Sequence, residues 1–405
     1  MSAGEPIREA RASVWLAVAA AAALFVLRNP WALAMPQFWA EEGNPFLVDS
    51  ELHGFSSILR PYAGYLHLIP RIVALLAGLV RDCVWWPAIY SFAALAIAIG
   101  VLARMASPRL ALPRKPLLIL AFGVAAHSGE VLLNQANIQW ISAFFLIQQL
   151  LMAPPVGRRQ VAGDAMLAMV AGLTGPFSVL LAPLFVWRAA RVRQRGLLVV
   201  AVVVLACAAV QAGTMLRSSD LPSGVALAGF DAKNYLAVLG NRLVVWPFFG
   251  AWVALNAPPA AIGAVSLALF AGVVWQVAHA PPERRGVQAM VLLVLVVMLF
   301  GTLWRARPDA WDLRTLELGD RYFFIARILF AWLVIWQLDA MRRSVALAAA
   351  ALCILAVLTD LLTPAVAAPR DLHWAQQCGA IVAGRPAVIP ILPEGMHLYY
   401  PGQSR

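Results

Sequence analysis

Two adjacent glutamates, Glu41 and Glu42, stand among aromatic residues shortly after the first apolar stretch of the chain. A carboxylate there can take a proton from an attacking hydroxyl, or it can ligate a divalent cation such as Mg²⁺ or Mn²⁺. Ionisable groups beside a membrane-embedded surface are costly to bury and are therefore functional candidates. We interpret the pair as candidate catalytic groups and, if a metal is needed, as its ligands. The alternative is a solvated loop whose acids face water.

Polar residues in neighbouring loops extend this candidate site. Arginine binds a phosphate through paired hydrogen bonds, which makes Arg60, Arg71 and Arg321 candidate phosphate ligands. Glu130 lies in a brief turn between two apolar stretches and is a third candidate acid. The candidate substrate-binding residues are Trp39, Tyr62, His67, Asn134, Asn137 and Tyr322.

Some of these candidates have simpler explanations. Arg321 begins an apolar stretch, where an arginine also anchors a helix at the membrane interface. His67 and Arg71 are equally suited to contact lipid headgroups. Arg305 and Arg307 precede Arg321 along the chain and belong to the same weaker grouping.

The composition indicates an all-α polytopic membrane protein. Of the 405 residues, 62% are hydrophobic and 13% charged, and the mean hydropathy is +0.77. The net charge of +11 comes from short basic loops, which are typical of the cytoplasmic side of a membrane. No nucleic-acid motif accompanies them, so we predict the lipid bilayer, and not nucleic acid, as the partner of this charge. The basic loops contain Arg104, Arg109, Arg114 and Lys115; Arg158 and Arg159; Arg188, Arg191, Arg193 and Arg195; Arg284 and Arg285; Arg342 and Arg343.

Apolar stretches predict about eleven membrane spans. They lie at 13–30, 84–103, 116–128, 138–152, 161–173, 176–188, 197–215, 262–279, 287–304, 321–338 and 343–362. If the stretch 65–80 crossed the membrane, the basic loop 104–115 would fall on the same side as the acidic loop, whereas the later basic loops require the opposite side. We therefore predict that 65–80 is a juxtamembrane helix on the outer surface. Its polar or small residues recur at helical spacing from His67 onward. Segment 241–257 contains prolines and a glycine, and the sequence leaves open whether it crosses.

This topology divides the chain into a bundle, residues 1–362, and a short periplasmic C-terminal segment, residues 363–405. Residues 29–83 form the first periplasmic loop. The prolines near 387–393 exclude a regular helix and favour a short edge strand or an extended segment. We expect Cys83 and Cys378 to be free thiols; a disulfide between them is the alternative.

Two of the predicted spans, 161–173 and 176–188, are too short to cross a bilayer. Each reaches about 20 Å at 1.5 Å per residue, against a hydrocarbon core of about 30 Å. The junction 172–176 is non-helical backbone at membrane depth, which is tolerated where it is buried in protein or lines a wet cavity. We therefore expect a cavity in the outer half of the bundle.

The chemistry is further limited by what the sequence lacks. It contains no HExxH, CxxC, GxSxG or phosphate-loop motif, so zinc, thiol, serine-hydrolase and nucleotide chemistry have no support. The predicted spans carry almost no charge at their centres, where ion-coupled transporters place it. Charges at the outer interface favour surface chemistry on a lipid-borne substrate.

The order of these features resembles the GT-C superfamily of membrane glycosyltransferases, such as the protein O-mannosyltransferases and the aminoarabinose transferases. In that family an acidic pair begins a large first outer loop, juxtamembrane helices follow, and a second outer loop carries another acid. Glu41 and Glu42, the stretch 65–80 and Glu130 match these features over residues 13–150. The chain departs in having two glutamates where family members often carry Asp, and in having a smaller outer C-terminal segment.

The resemblance implies a polyprenyl-phosphate-linked sugar as donor, and inverting transfer to the hydroxyl of a glycan, lipid or protein acceptor. One glutamate would act as base at the periplasmic face of a bacterial inner membrane, and arginine or a divalent cation would neutralise the leaving phosphate. It identifies neither sugar nor acceptor. Two alternatives remain: a flippase or exporter of a lipid-linked glycan, and a non-enzymatic protein of envelope-glycan assembly.

Overall fold

The computed structural model describes residues 11–125, 129–218, 231–306, 311–313, 316, 319–338 and 368–403, with the isolated positions 347, 351, 354 and 358. Helices dominate these residues. The helices are α1 (Arg11–Arg28), α2 (Trp31–Ala34), α3 (Val48–His53), α4 (Leu68–Gly78), α5 (Trp86–Met105), α6 (Lys115–Val124), α7 (Ile138–Leu151), α8 (Gly157–Gly172), α9 (Phe177–Val192), α10 (Arg195–Arg217), α11 (Ala232–Gly240), α12 (Trp246–Phe249), α13 (Ala251–Asn256), α14 (Pro259–His279), α15 (Pro282–Arg305), α16 (Arg321–Gln337), α17 (Trp374–Gln377) and α18 (Gly379–Val382). The strands are β1 (Ala387–Ile391) and β2 (Met396–Tyr400).

Five helices among the described residues are long and apolar enough to cross a membrane: α1, α5 with the turn before it, α10, α14 and α15. The predicted spans at 116–128, 138–152, 161–173, 176–188 and 321–338 correspond to shorter helices, α6 to α9 and α16. The predicted span 343–362 lies outside the described residues apart from isolated positions. The membrane-helix character of the chain is thus confirmed, and the count of eleven stays a prediction.

Helix α7 is the centre of the bundle, since nearly all of its side chains are buried. Aromatic rings join it to its neighbours: Phe144 on α7 lies 4.8 Å from Phe122 on α6, measured between ring centroids. Phe122 in turn packs on Phe25 of α1 and Phe324 of α16. Such contacts between large apolar rings are the main source of packing energy in a helical core.

Helix α4 buries one face and exposes an apolar stripe formed by Ile72, Leu76 and Leu79. The spacing of this stripe follows the helical repeat, as in a helix that lies along a membrane surface. The helix begins at Leu68, three residues after the predicted start. The reason is that the backbone of Leu66 and Leu68 bonds to Gly175 and Leu173, so 65–67 is held extended and His67 is not part of a helical stripe.

The junction between α8 and α9 is non-helical, as the short spans predicted. Gly175 has a φ of +90°, and a Cβ at this position would lie 2.9 Å from the Cβ of Gln139. The buried side chain of Gln211 on α10 accepts from the Leu66 amide and donates to the carbonyls of Leu66 and Gly175. These bonds satisfy backbone groups that a helix break leaves free.

Segment 241–257 is not one continuous helix. Residues Asn241–Val245 form a wide, π-type turn, and Gly250, with a φ of +86°, separates α12 from α13. The segment therefore consists of short helical pieces.

The C-terminal segment packs on the loop that carries the acidic pair. Strands β1 and β2 form an antiparallel hairpin, with Ala387 opposite Tyr400, which confirms the predicted strand. Just beyond β1, Leu392 bonds through its backbone to Phe38 and Ala40. The loop and the hairpin are therefore one structural unit.

Cys83 and Cys378 form a disulfide, so the expectation of free thiols was wrong. The two residues are 295 positions apart in the sequence, which is why spacing along the chain did not reveal the pair. Tertiary packing brings them together: the Trp374 indole donates to the Cys83 carbonyl at 2.7 Å and stacks edge-on against Phe38.

We expect the disulfide to hold the C-terminal segment in place. Replacing both cysteines by serine should destabilise this attachment by about 2–5 kcal/mol, because a crosslink that closes a long loop restricts the unfolded chain. Trypsin should then cleave faster after the exposed Arg370. Cys207→Ser, at the free buried thiol on α10, is the control. Equal cleavage rates in the double variant and the wild type would contradict the expectation.

Candidate functional site

A cavity of about 170 Å³ lies between the loop that carries Glu41 and residues of α7, α9, α15 and α16; we call it the Glu41 cavity. Its lining combines polar and apolar side chains. The polar or charged lining residues include Glu41, Tyr62, Tyr65, His67, Asn137, Gln139, Arg305, Arg321 and Tyr322. The apolar lining residues include Phe177, Val179, Leu180, Met215, Met298 and Ile325.

Glu41 sits in a 3₁₀ turn, Ala40–Glu42, that begins with a left-handed residue, Ala40, at a φ of +45°. The Tyr62 hydroxyl donates to Oε1 of Glu41 at 3.2 Å. Arg321 lies close enough for its charge to interact with that of Glu41. The carboxylate thus faces the cavity with a hydroxyl donor and a cation nearby.

Glu42 is turned the other way and is almost fully buried, with 2% of its surface exposed. Its Oε2 accepts from the Trp39 amide at 2.7 Å, and its Oε1 accepts from the Gln135 amide at 2.5 Å. Burial raises the pKa of Glu42 from 4.5 to about 8, since desolvation outweighs these two hydrogen bonds. The predicted pair therefore divides: Glu41 lines the cavity, while Glu42 joins the first loop to the second.

Glu130 is bonded to Arg321. Its two carboxylate oxygens accept from the Arg321 side chain at 2.6 Å and from the Arg321 amide at 2.9 Å. Burial raises the pKa of Glu130, and Arg321 opposes this shift. The backbone carbonyl of Glu130 accepts from the side chains of Asn134 and Asn137. Because Arg321 lines the cavity and Glu130 does not, Glu130 orients the arginine.

Arg60 and Arg71 lie outside the Glu41 cavity. Both contact Asp49, at 3.5 Å and 2.6 Å between nitrogen and oxygen, and Arg71 also donates to the carbonyl of Arg60. These contacts join residues of the first loop to one another and to α4. The structure thus brings only Arg321 of the three predicted phosphate ligands to the cavity.

Arg305 is a second cation in the lining of the Glu41 cavity. The sequence indicated it only as a member of the weaker grouping with Arg307. It is the last residue of α15, and this end of the helix borders the Glu41 cavity. Its guanidinium donates to the Ala63 carbonyl and lies over the Tyr65 ring, 5.4 Å from the centroid. One of its nitrogens is buried with no hydrogen-bond partner. A basic residue at a predicted span end was the only signal in the sequence.

Of the six predicted substrate-binding residues, Tyr62, His67, Asn137 and Tyr322 line the Glu41 cavity. Trp39 and Asn134 instead lie with Glu42 beside a separate cavity of about 30 Å³. Tyr65, Gln139 and Trp140 also line the Glu41 cavity. Gln139 and Trp140 lie at the start of α7.

His67 is enclosed by aromatic rings. The centroids of Phe46, Tyr62 and Tyr65 lie 5.3, 5.8 and 4.6 Å from that of the imidazole. Burial, and secondarily the charge of Arg71, lowers the pKa of His67 to about 3. The nearby Tyr62 backbone favours the protonated ring and so opposes this shift. The imidazole is therefore neutral at ordinary pH.

The described residues contain no group of three or more His, Cys, Asp or Glu side chains that could hold a metal ion. Both oxygens of Glu42 accept from backbone amides, and Glu42 does not line the Glu41 cavity. The positive charge in the lining of the Glu41 cavity comes from Arg305 and Arg321.

No protein-family model, curated protein or solved structure matches this chain. The site must therefore be interpreted from its own geometry.

The burial of Glu42 predicts a pH dependence of stability. A carboxyl whose folded pKa is about 8 binds its proton more tightly than in the unfolded chain. Its contribution to the free energy of unfolding is therefore greatest below 4.5 and falls as pH rises towards 8. The melting temperature should fall across this range in the wild type and less steeply in Glu42→Gln. The same slope in both proteins would contradict the assignment to Glu42.

Proposed function

We propose that this chain is a membrane glycosyltransferase of the GT-C type, which moves a monosaccharide from a polyprenyl phosphate to an acceptor hydroxyl. The observation that carries the proposal is the Glu41 cavity, whose lining combines a carboxylate and two arginines with apolar side chains of the helices.

The amphipathic lining supports a lipid-linked phosphate as the donor. Arg305 and Arg321 suit a phosphate, since guanidinium groups form strong charge-assisted hydrogen bonds with it. Leu180, Met215 and Met298, on α9, α10 and α15, suit the first part of an isoprenoid chain. Helices α10 and α15 are long and apolar enough to cross a membrane, so such a chain would enter the cavity directly from lipid.

Glu41 is the better supported base of the acidic pair, because Glu42 has both oxygens bonded to backbone amides. The acceptor hydroxyl gives its proton to Glu41 and its oxygen attacks the anomeric carbon. The bond between that carbon and the phosphate oxygen breaks, and polyprenyl phosphate leaves with the electron pair. Arg305 and Arg321 stabilise the negative charge that develops on the leaving group. A divalent cation is not needed for this charge balance.

The remaining features extend the proposal to the whole chain. The exposed stripe Ile72, Leu76 and Leu79 on α4 supports a juxtamembrane helix, and the basic loops favour a cytoplasmic side opposite the cavity. We therefore infer a multi-pass protein of the bacterial inner membrane, with about eleven spans and its site and C-terminal segment at the periplasmic face. The acceptor is a glycan, lipid or protein hydroxyl.

The first test replaces Glu41 by Gln. Loss of a general base typically lowers a rate 10²–10⁴-fold, so release of polyprenyl phosphate from a polyprenyl-phosphate sugar should fall by about that factor. Binding of the donor should persist, since the arginines are unchanged. Glu51→Gln, in the same loop but outside the cavity lining, is the matched control. Full activity in Glu41→Gln would exclude Glu41 as the base.

The second test concerns the phosphate. Hydrogen bonds to charged groups contribute about 1.5–3 kcal/mol, so Arg305→Gln should weaken binding of polyprenyl phosphate by about 10- to 100-fold. Arg60→Gln should bind normally, because Arg60 is held by Asp49 outside the cavity. Native mass spectrometry in detergent measures both. Weakened binding in Arg60→Gln alone would place the phosphate outside the Glu41 cavity.

A further inference from the structure

We propose that His67, Gln139 and Trp140 form the sugar subsite of the Glu41 cavity, and that the sugar it holds is neutral. This inference rests on the proposed function and deepens it by naming the class of sugar.

These three lining residues share one property: each carries buried polar atoms without a hydrogen-bond partner. They are both ring nitrogens of His67, Oε1 of Gln139 and Nε1 of Trp140. Leaving a buried polar atom unpaired costs about 1–3 kcal/mol, so most such atoms in proteins are paired. Several around one cavity indicate a ligand that supplies the missing partners.

A sugar matches the chemical types of these atoms. The indole of Trp140 only donates, Oε1 of Gln139 only accepts, and a neutral imidazole has one nitrogen of each kind. A hydroxyl both donates and accepts, so hydroxyl groups around one ring can serve all of them. Aromatic side chains surround the same space: Trp140 lies 5.4 Å from Tyr322, and Tyr65 lies 4.6 Å from His67, between ring centroids.

The charges around the cavity select the class of sugar. Glu41 is the only acid among the described lining residues, beside the cations Arg305 and Arg321. An aminosugar would place an ammonium group near two arginines with no carboxylate except the base. A uronic acid would compete with the phosphate for those arginines. A neutral, hydroxyl-rich hexose or pentose carries neither an ammonium group nor a carboxylate, so it avoids both problems.

The experiment measures binding of three kinds of lipid to the purified full chain. They are bare polyprenyl phosphate, a panel of polyprenyl-phosphate neutral hexoses and pentoses, and a polyprenyl-phosphate aminopentose. Trp140→Phe removes the indole N–H, and Gln139→Leu removes the amide. Each should weaken binding of the preferred neutral sugar lipid by about three- to tenfold, the loss of one neutral hydrogen bond, and leave bare polyprenyl phosphate unchanged.

Two matched controls remove the same kinds of unpartnered atom outside the cavity. Trp311→Phe deletes an unpartnered indole N–H, and Gln288→Leu deletes an unpartnered amide oxygen; neither residue lines the Glu41 cavity. Both controls should bind all the lipids as the wild type does.

Three results would overturn the subsite. In the first, the aminopentose lipid binds more tightly than every neutral sugar lipid. In the second, no neutral sugar lipid binds more tightly than bare polyprenyl phosphate. In the third, Trp140→Phe and Gln139→Leu weaken binding of bare and sugar-linked lipids equally. Failure of the proposed function looks different, since the wild type would then bind none of these lipids saturably.

Discussion

The Glu42 carboxylate, buried and bonded to the backbone amides of Trp39 and Gln135, is the constraint on which the site depends. It connects the first loop to the turn before α7, and Gln135 is itself anchored through its side chain to the Tyr90 carbonyl on α5. In a 3₁₀ turn successive side chains point about 120° apart. With Glu42 held inward, its neighbour Glu41 is directed to a different side, where the cavity lies.

The C-terminal segment holds the same loop from the other side. Leu392 pairs with Phe38 and Ala40, Ile391 and Leu398 pack against Gly43, and the disulfide joins the segment to the turn before α5. A Cβ at Gly43 would lie 3.0 Å from Ile391, so only glycine allows this approach without a shift. The position of Glu41 is thus determined by residues near both ends of the chain.

Acidic residues decide which arginines remain for a ligand. Asp49 holds Arg60 and Arg71, while Glu130 orients Arg321 without removing it from the cavity. The Arg71 side chain is fully buried, so removing Asp49 would leave an uncompensated buried charge, which is strongly unfavourable. These pairs therefore divide the arginines into those that fold the loop and those that face the cavity, a division that residue type alone does not reveal.

Composition and periodicity were sufficient to predict the helical membrane class, a helix near α4, the break between α8 and α9 and the strand near Ala387, because each depends on local physics: apolar length, helical repeat, and glycine or proline. The candidate loops were also visible, since charge is rare in this chain. Tertiary structure decided the rest. Glu41 was separated from Glu42, Arg305 was brought into the cavity in place of Arg60 and Arg71, and Cys83 was joined to Cys378. Each of these depends on contacts between residues far apart in sequence, which no local pattern records.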